Sequence, residues 1–228
     1  MNARLILPSA GLGKRLGCDG PKALVRLGGE PMLVHTLRRF APLGLLENAI
    51  VVVTPGHETV FAEALEHAFP GVPFAITPGG AERQLSVQNA LARLDPGDEL
   101  VAIHDAARPF IRTETIRAAL AAAADYGAAT VAVPAIDTVL VGDTEGMLVD
   151  TPDRSRLWAC QTPQTFRAEV ILQAHAHARE RGWTVTDDAT LARMDGARVK
   201  LVPGAPENLK ITTPFDLRVA EALLEELR

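Results

Sequence analysis

Cysteine is nearly missing from this chain: Cys18 and Cys160 are the only two in 228 residues, and there is no CxxC pair. That excludes a disulfide framework and a thiolate zinc site, and it fits a reducing cytosol. No apolar run approaches the roughly 20 residues needed to cross a bilayer. The opening MNARLILPSAG has one Arg and a very short apolar stretch, so it reads as a first strand rather than a signal peptide. A cytoplasmic location and no membrane partner are the expectations. A net charge of −5 leaves no broad basic field, which argues against nucleic acid as a partner. A locally basic pocket for a small anion remains compatible with that balance. Lysine is scarce too, with four among 23 basic residues, and three of them (Lys14, Lys22 and Lys210) lie in the segments singled out below. A compact ammonium suits phosphate oxygens where a guanidinium would not fit.

What is present is the composition of a globular protein, 47% hydrophobic and 22% charged, with a length that suits one domain over residues 1–228. Short apolar runs at Leu5–Leu7, Ile50–Val53, Phe74–Ile76, Leu100–Ile103 and Thr130–Val133 read as buried strands. Helical spacing lies between them: Leu33, Val34, Leu37 and Phe40 after Pro31, then Phe61, Leu65 and Phe69, then Val87, Leu91 and Leu94. Thr113 is the expected N-cap of a helix that Gly127 stops. This alternation predicts an α/β fold, a mostly parallel sheet with helices on both faces. The rhythm breaks between Ala135 and Gln164. There, two β-like runs flank Gly142–Gly146 and predict a hairpin arm outside the main sheet. Helices from Arg167 to Arg181 and Asp188 to Met194 follow, then a strand at Val199–Val202. The last helix opens on Thr213 and Pro214, with Leu217, Ala220, Leu224 and Leu227 as its apolar face.

Directly after the first strand comes Pro8-Ser9-Ala10-Gly11-Leu12-Gly13-Lys14-Arg15-Leu16. Small residues let the backbone approach a ligand, successive N–H groups can form an anion-binding nest, and Lys14 and Arg15 add charge there. It is not a P-loop, because Arg15 follows Gly13-Lys14 and no Gly stands five residues before Gly13. It is not a dinucleotide fingerprint either, because Leu16 stands where the third glycine belongs.

Together with Gly20-Pro21-Lys22, this segment resembles the signature of sugar-phosphate nucleotidyltransferases. Further segments narrow the likeness: Ala81-Glu82-Arg83-Gln84-Leu85-Ser86 after Gly79-Gly80, His104-Asp105-Ala106-Ala107-Arg108-Pro109, Asp137-Thr138, Asp153-Arg154, Thr162-Pro163-Gln164, Thr186-Asp187-Asp188 and Asn208-Leu209-Lys210-Ile211-Thr212. In this order the set is similar to the 2-C-methyl-D-erythritol 4-phosphate cytidylyltransferase family of the non-mevalonate isoprenoid pathway, over nearly the whole chain. Ala23, Ala81 and Lys14 depart from residues common in that family, but none removes a charge on which the chemistry rests.

The resemblance implies a Rossmann-like nucleotidyltransferase fold and an in-line attack of a small polyol phosphate on the α-phosphorus of CTP. Two polyanions must meet, so neutralisation and alignment matter more than proton transfer. Arg15, Lys22 and Lys210 are then the expected catalytic cations. Ser9, Ala10, Gly11, Gly13, Lys14, Gly79, Gly80, Ser86 and Asp105 are expected at the nucleotide, with Gly79, Gly80 and Ser86 reading the cytosine edge. Asp105, Arg108, Thr138, Arg154 and Lys210 are expected at the acceptor. Asp105 could serve ribose hydroxyls, acceptor hydroxyls or a water on Mg²⁺, and Arg108 could orient Asp105 or touch the acceptor. Mg²⁺ is expected on the CTP phosphates, with no dedicated protein ligand. His104 reads as a packed strand residue. His175 and His177, two apart on a helix, cannot share a face. A two-strand ribbon is rarely stable alone, so the 135–164 arm predicts a homodimer in which it serves dimerisation, and the resemblance implies that Arg154 reaches an acceptor phosphate across the interface. The competing expectations are a cytidylyltransferase for ribitol 5-phosphate or another pentitol phosphate, and a non-catalytic nucleotide-binding protein.

Overall fold

The computed structural model describes residues 2–226. Eleven strands are seen among the described residues: β1 (Ala3–Pro8), β2 (Arg26–Leu27), β3 (Glu30–Pro31), β4 (Ala49–Val53), β5 (Ala75–Pro78), β6 (Leu100–Ile103), β7 (Ala128–Pro134), β8 (Val141–Gly142), β9 (Leu148–Asp150), β10 (Trp158–Arg167) and β11 (Val199–Pro203). The α-helices are α1 (Met32–Phe40), α2 (Glu58–Ala68), α3 (Arg83–Leu91), α4 (Thr113–Tyr126), α5 (Ala168–Arg181), α6 (Asp188–Met194) and α7 (Pro214–Glu226).

Seven strands form one sheet in the order β11-β7-β10-β6-β1-β4-β5, with β10 antiparallel to both neighbours and the other pairings parallel. Period-two alternation sends successive residues to opposite faces. Leu5, Leu7, Val51 and Val53 face α1, α2 and α4, where they meet Leu37, Phe40, Phe61 and Ile116. Ile6, Ile50, Val52 and Ile103 face the other side and pack on Val87 of α3, Ile171 of α5 and Ala192 of α6. Burial on both faces explains why these strands read as continuous apolar runs. The chain leaves β1 toward β4 and β5, then returns to β1's other side as β6. The crevice outside the carboxyl ends of β1 and β6 is therefore a topological switch point, where open α/β sheets bind ligands.

The fold matches the sequence expectation of a mostly parallel sheet covered on both faces, with local corrections. The arm is shorter than expected, because the sheet takes the chain back at Trp158 and residues 158–164 belong to β10 rather than to the excursion. Thr113 is the first residue of α4 and Arg112 its N-cap, because the Thr113 hydroxyl donates to the Arg39 carbonyl at 3.1 Å instead of capping. Phe69 and Leu94 lie just past the ends of α2 and α3, and β5 starts one residue later than Phe74. Thr213 does cap α7: its hydroxyl accepts from the Asp216 N–H at 3.2 Å, while the Asp216 carboxylate accepts from the Thr213 N–H at 2.8 Å. Leu227 lies outside the described residues. The arm itself is a hairpin of β8 and β9, turned around Asp143, whose Oδ1 accepts from the Glu145 and Met147 N–H groups at 2.9 Å each.

Candidate active site

Three loops meet at the carboxyl end of the sheet. The first runs from β1 to Lys22. Ser9 continues the strand, its N–H donating to Val52 at 2.7 Å and its hydroxyl to Leu7 at 3.0 Å. The loop closes on itself where the Lys22 N–H donates to Gly11 at 2.8 Å. Lys14–Leu16 form a single 3-10 turn, anchored by the buried Leu16 and bounded by Gly13 and Gly17 at φ 66° and 72°. Those angles favour glycine, and a Cβ on Gly13 would also meet Lys22 Cβ at 3.1 Å. Sequence therefore sets the lysine against the glycine turn.

The second loop follows β5. A Cβ on Gly79 would lie 2.5 Å from Ala10 Cβ, so this glycine lets the first and second loops touch. Ser86 Oγ accepts from the Gly80 N–H at 3.1 Å and donates to the Glu82 carbonyl at 3.0 Å, which fixes the turn into α3.

The third loop follows β6 and carries Asp105. Three cations, two of them from distant segments, converge on this buried carboxylate. Lys210 Nζ stands 2.8 Å from Oδ2, Arg83 Nε 3.3 Å from Oδ1, and Arg108 Nε 3.8 Å from Oδ2. Burial alone would push the Asp105 carboxyl up, but Arg83, Lys210 and Arg108 outweigh it and hold it well below the usual carboxylate range. Arg83 also reaches Asp188 Oδ2 with Nη1 at 2.6 Å, and Asp188 Oδ1 lies 3.1 Å from His175 Nε2. Arg108 is clamped by the carbonyls of Asn208 (2.8 Å) and Cys160 (3.3 Å). The Lys210 loop is stitched to the third loop by the Ile211 N–H, which donates to Ala107 at 2.9 Å.

The resulting cavity of about 240 Å³ is lined by Ser9, Ala10, Gly11, Lys22, Gly80, Ser86, Asp105 and Lys210, all expected from sequence. A second, adjoining hollow is lined by Arg108, Gln161, Thr162, Thr186 and Asp187, and it shares Arg83, Asp105 and Lys210 with the first. Gly79 lies behind the lining. Gly13, Lys14 and Arg15 sit in the loop above it, close enough for Arg15 to act on the Lys22 charge. Thr138 and Arg154 stand on the exposed arm outside both hollows, and Arg154 Nη1 donates to the Ile136 carbonyl at 2.6 Å. Arg83 was quoted in the family segment after the paired glycines but given no role from sequence, and the structure places it on Asp105 and Asp188. The signal for it was its place in that segment, where Ala81 and Glu82 separate it from Gly79-Gly80. His175 and His177 bond separate carboxylates, Asp188 and Asp195.

The family model for 2-C-methyl-D-erythritol 4-phosphate cytidylyltransferase matches residues 3–226. The chain belongs to this family. A cytidylyltransferase of that name from Pelotomaculum thermopropionicum is 42% identical over 96% of this chain and 93% of its own. One from Symbiobacterium thermophilum is 44% identical over 97% and 92%. The crystal structure of the Thermus thermophilus enzyme superposes with a TM-score of 0.82 at 34% identity, covering 99% of this chain and 100% of its own. That of 4-diphosphocytidyl-2C-methyl-D-erythritol synthase from Anaerococcus prevotii gives 0.86 at 29%, covering 98% of each. The pentitol phosphate expectation finds no support in these relatives. The segments that suggested the family lie around one crevice of the Rossmann-like fold, save those on the arm.

Lys22 carries the electrostatic signature of the site. Burial first, then repulsion from Lys210, partly offset by Asp105 and reinforced by Arg15, lowers its pKa to about 8. The unfolded chain therefore holds this proton more tightly, and the cost to the fold is fully present below about pH 8 and is relieved as pH rises toward the ordinary lysine value. With only four lysines, a ¹³C-lysine NMR titration resolves each one. One Cε resonance should titrate near pH 8, and it should move to higher pH in Lys210→Ala. Four lysines all titrating above about pH 10 would refute this picture of the site.

Proposed function

We propose that this chain is a 2-C-methyl-D-erythritol 4-phosphate cytidylyltransferase. It moves the cytidylyl group of CTP onto 2-C-methyl-D-erythritol 4-phosphate, giving 4-diphosphocytidyl-2-C-methyl-D-erythritol and pyrophosphate, a step of isoprenoid precursor biosynthesis. The observation that carries this is the meeting of Lys22 and Lys210 in a glycine-walled cavity at the switch point, within a chain that matches the family from residue 3 to 226.

In the reaction, an oxygen of the acceptor phosphate forms a bond to the α-phosphorus of CTP. The bond from that phosphorus to the bridging oxygen breaks, and pyrophosphate leaves. The nucleophile is already ionised, so the protein's task is to align two polyanions and neutralise charge at the α-phosphate. Lys22, Arg15 and Lys210 supply that charge. The Gly79–Gly80 turn and Ser86 give the cytosine a wall without bulky side chains. Asp105, Arg108 and Thr162 face the acceptor from the second hollow. Asp105 has both oxygens engaged by cations, which leaves it a poor ligand for a metal. Among the described residues no three His, Cys, Asp or Glu side chains are grouped to hold one. That donor set suits Mg²⁺ carried by the triphosphate, where it neutralises charge. No helix among the described residues is long and apolar enough to cross a membrane. A cytoplasmic location rests on the near absence of cysteine, which fits a reducing compartment.

The exposed arm supports a homodimer. Ile136, Met147 and Leu148 are 78%, 64% and 61% exposed, an apolar surface that a two-stranded ribbon does not bury by itself. A twofold partner is the commonest cover. The arm ends in Arg154, whose planar fork suits a phosphate. Thr138 and Arg154 would then complete the acceptor site of the second subunit.

The activity is tested by product analysis after incubation with CTP, Mg²⁺ and a panel of polyol phosphates that includes ribitol 5-phosphate. The erythritol phosphate should be consumed with release of pyrophosphate. Equal turnover with ATP, full activity in excess EDTA, or preference for the pentitol would contradict the assignment. The shared site is tested by mixing Arg154→Ala with Lys22→Ala subunits once exchange has been demonstrated. Activity should return, because one site of each heterodimer holds both intact residues. A mixture as inactive as its parents, or an active monomer in sedimentation, would rule out shared sites.

A further inference from the structure

His104 directly follows β6 and is completely buried, yet it lines neither hollow. Its ring packs on Phe40 with centroids 5.1 Å apart. Both of its nitrogens are spoken for. Nε2 lies 3.1 Å from the Arg108 carbonyl, and Nδ1 lies 3.0 Å from Thr162 Oγ1. The same Oγ1 accepts the Asp105 N–H at 3.1 Å.

These contacts settle the proton positions. A carbonyl can only accept, so Nε2 must carry a hydrogen. In a neutral ring Nδ1 is then a bare acceptor, so the Thr162 hydroxyl donates to it. Burial depresses the His104 pKa to about 4, so the ring stays neutral at ordinary pH. One imidazole thus holds the Arg108 end of the Asp105–Arg108 turn through a carbonyl. It also holds the Asp105 end through the threonine hydroxyl of β10.

We infer that His104 is a positioning residue for the transfer: its neutral Nε2–H tautomer locks the Asp105–Arg108 turn to Thr162 and so sets the acceptor side of the site. This deepens the activity proposed above and rests on it. The ring touches no substrate. It acts by tying the turn after β6 to β10, 58 residues away in sequence, at the point where Asp105 collects its cations.

Two measurements test this. The first is ¹⁵N NMR of histidine-labelled protein, which reads the ring without turnover and so holds whatever the acceptor proves to be. His104 should show the neutral Nε2–H form from about pH 6 to 9, and Thr162→Val should shift its Nδ1 resonance. An Nδ1–H tautomer, an imidazolium at neutral pH, or an unmoved Nδ1 would overturn the inference. The second is a kinetic cycle of His104→Phe, which keeps the ring packing, and Thr162→Val, which keeps the side-chain shape. Each should lower kcat/KM for the acceptor by about tenfold or more, with KM for CTP changed by less than about threefold. The double variant should be no worse than the more impaired single one, because both remove the same tie. Additive losses, or a fully active His104→Phe beside an active wild type, would overturn it. If His104→Phe does not fold, Thr162→Val alone must show the acceptor loss, and a wild-type kcat/KM would count against the inference. A wild type that transfers nothing would sink the activity and leave the tautomer measurement to decide the tie.

Discussion

The site is organised by one buried carboxylate. Asp105 sits in the loop just after β6, and Arg83 from the start of α3, Arg108 from its own turn and Lys210 from the loop before α7 all converge on it. A buried charge is tolerated only when it is paired, and here the pairing draws together segments about 100 residues apart in sequence. The geometry that binds polyanions therefore follows from the need to satisfy one anion. Remove it, and the three cations would have no common centre and would repel one another.

The same balance explains why the site is ready for substrate. Asp105 neutralises part of the positive charge, but Lys22 stays under-compensated, pressed by burial and by Lys210. On the proposed reading, the triphosphate of CTP would supply the missing negative charge and relieve a repulsion that folding has already accepted, which is the sense in which the cavity is preorganised. The glycines around it matter for shape: the Gly79 backbone lies against Ala10, where a larger residue would push the first and second loops apart.

Much of this was legible in the sequence because the physics there is local. Strands buried on both faces announce themselves as apolar runs, and the loop after β1 does so by its glycines and cations. Strand β10 was not legible. Trp158–Arg167 carries Gln161, Thr162, Gln164 and Thr165 at buried positions and lacks apolar alternation. Those side chains are satisfied by distant partners, such as the Asp188 N–H donating to Gln164 Oε1 at 2.8 Å. A strand whose polar residues are paired across the fold reads as a loop until the fold is known. Arg83 was quoted but given no role for the same reason: its partners are Asp105 and Asp188, both far from it in sequence. Thr113 failed as a cap because a tertiary partner, the Arg39 carbonyl, competed for its hydroxyl.

The claim that Asp105 holds the cations in working order meets its sharpest test in Asp105→Asn. Simple electrostatics says that deleting a negative charge beside a phosphate site should tighten CTP binding and leave the rate intact. A shared anchor predicts the opposite for catalysis, a loss in kcat/KM for both substrates of about a hundredfold or more, because Arg83, Arg108 and Lys210 lose the group that holds them together. Steady-state kinetics on the folded variant decides between them. An Asp105→Asn enzyme with unchanged or improved kcat/KM would show that the cations hold their positions without the carboxylate.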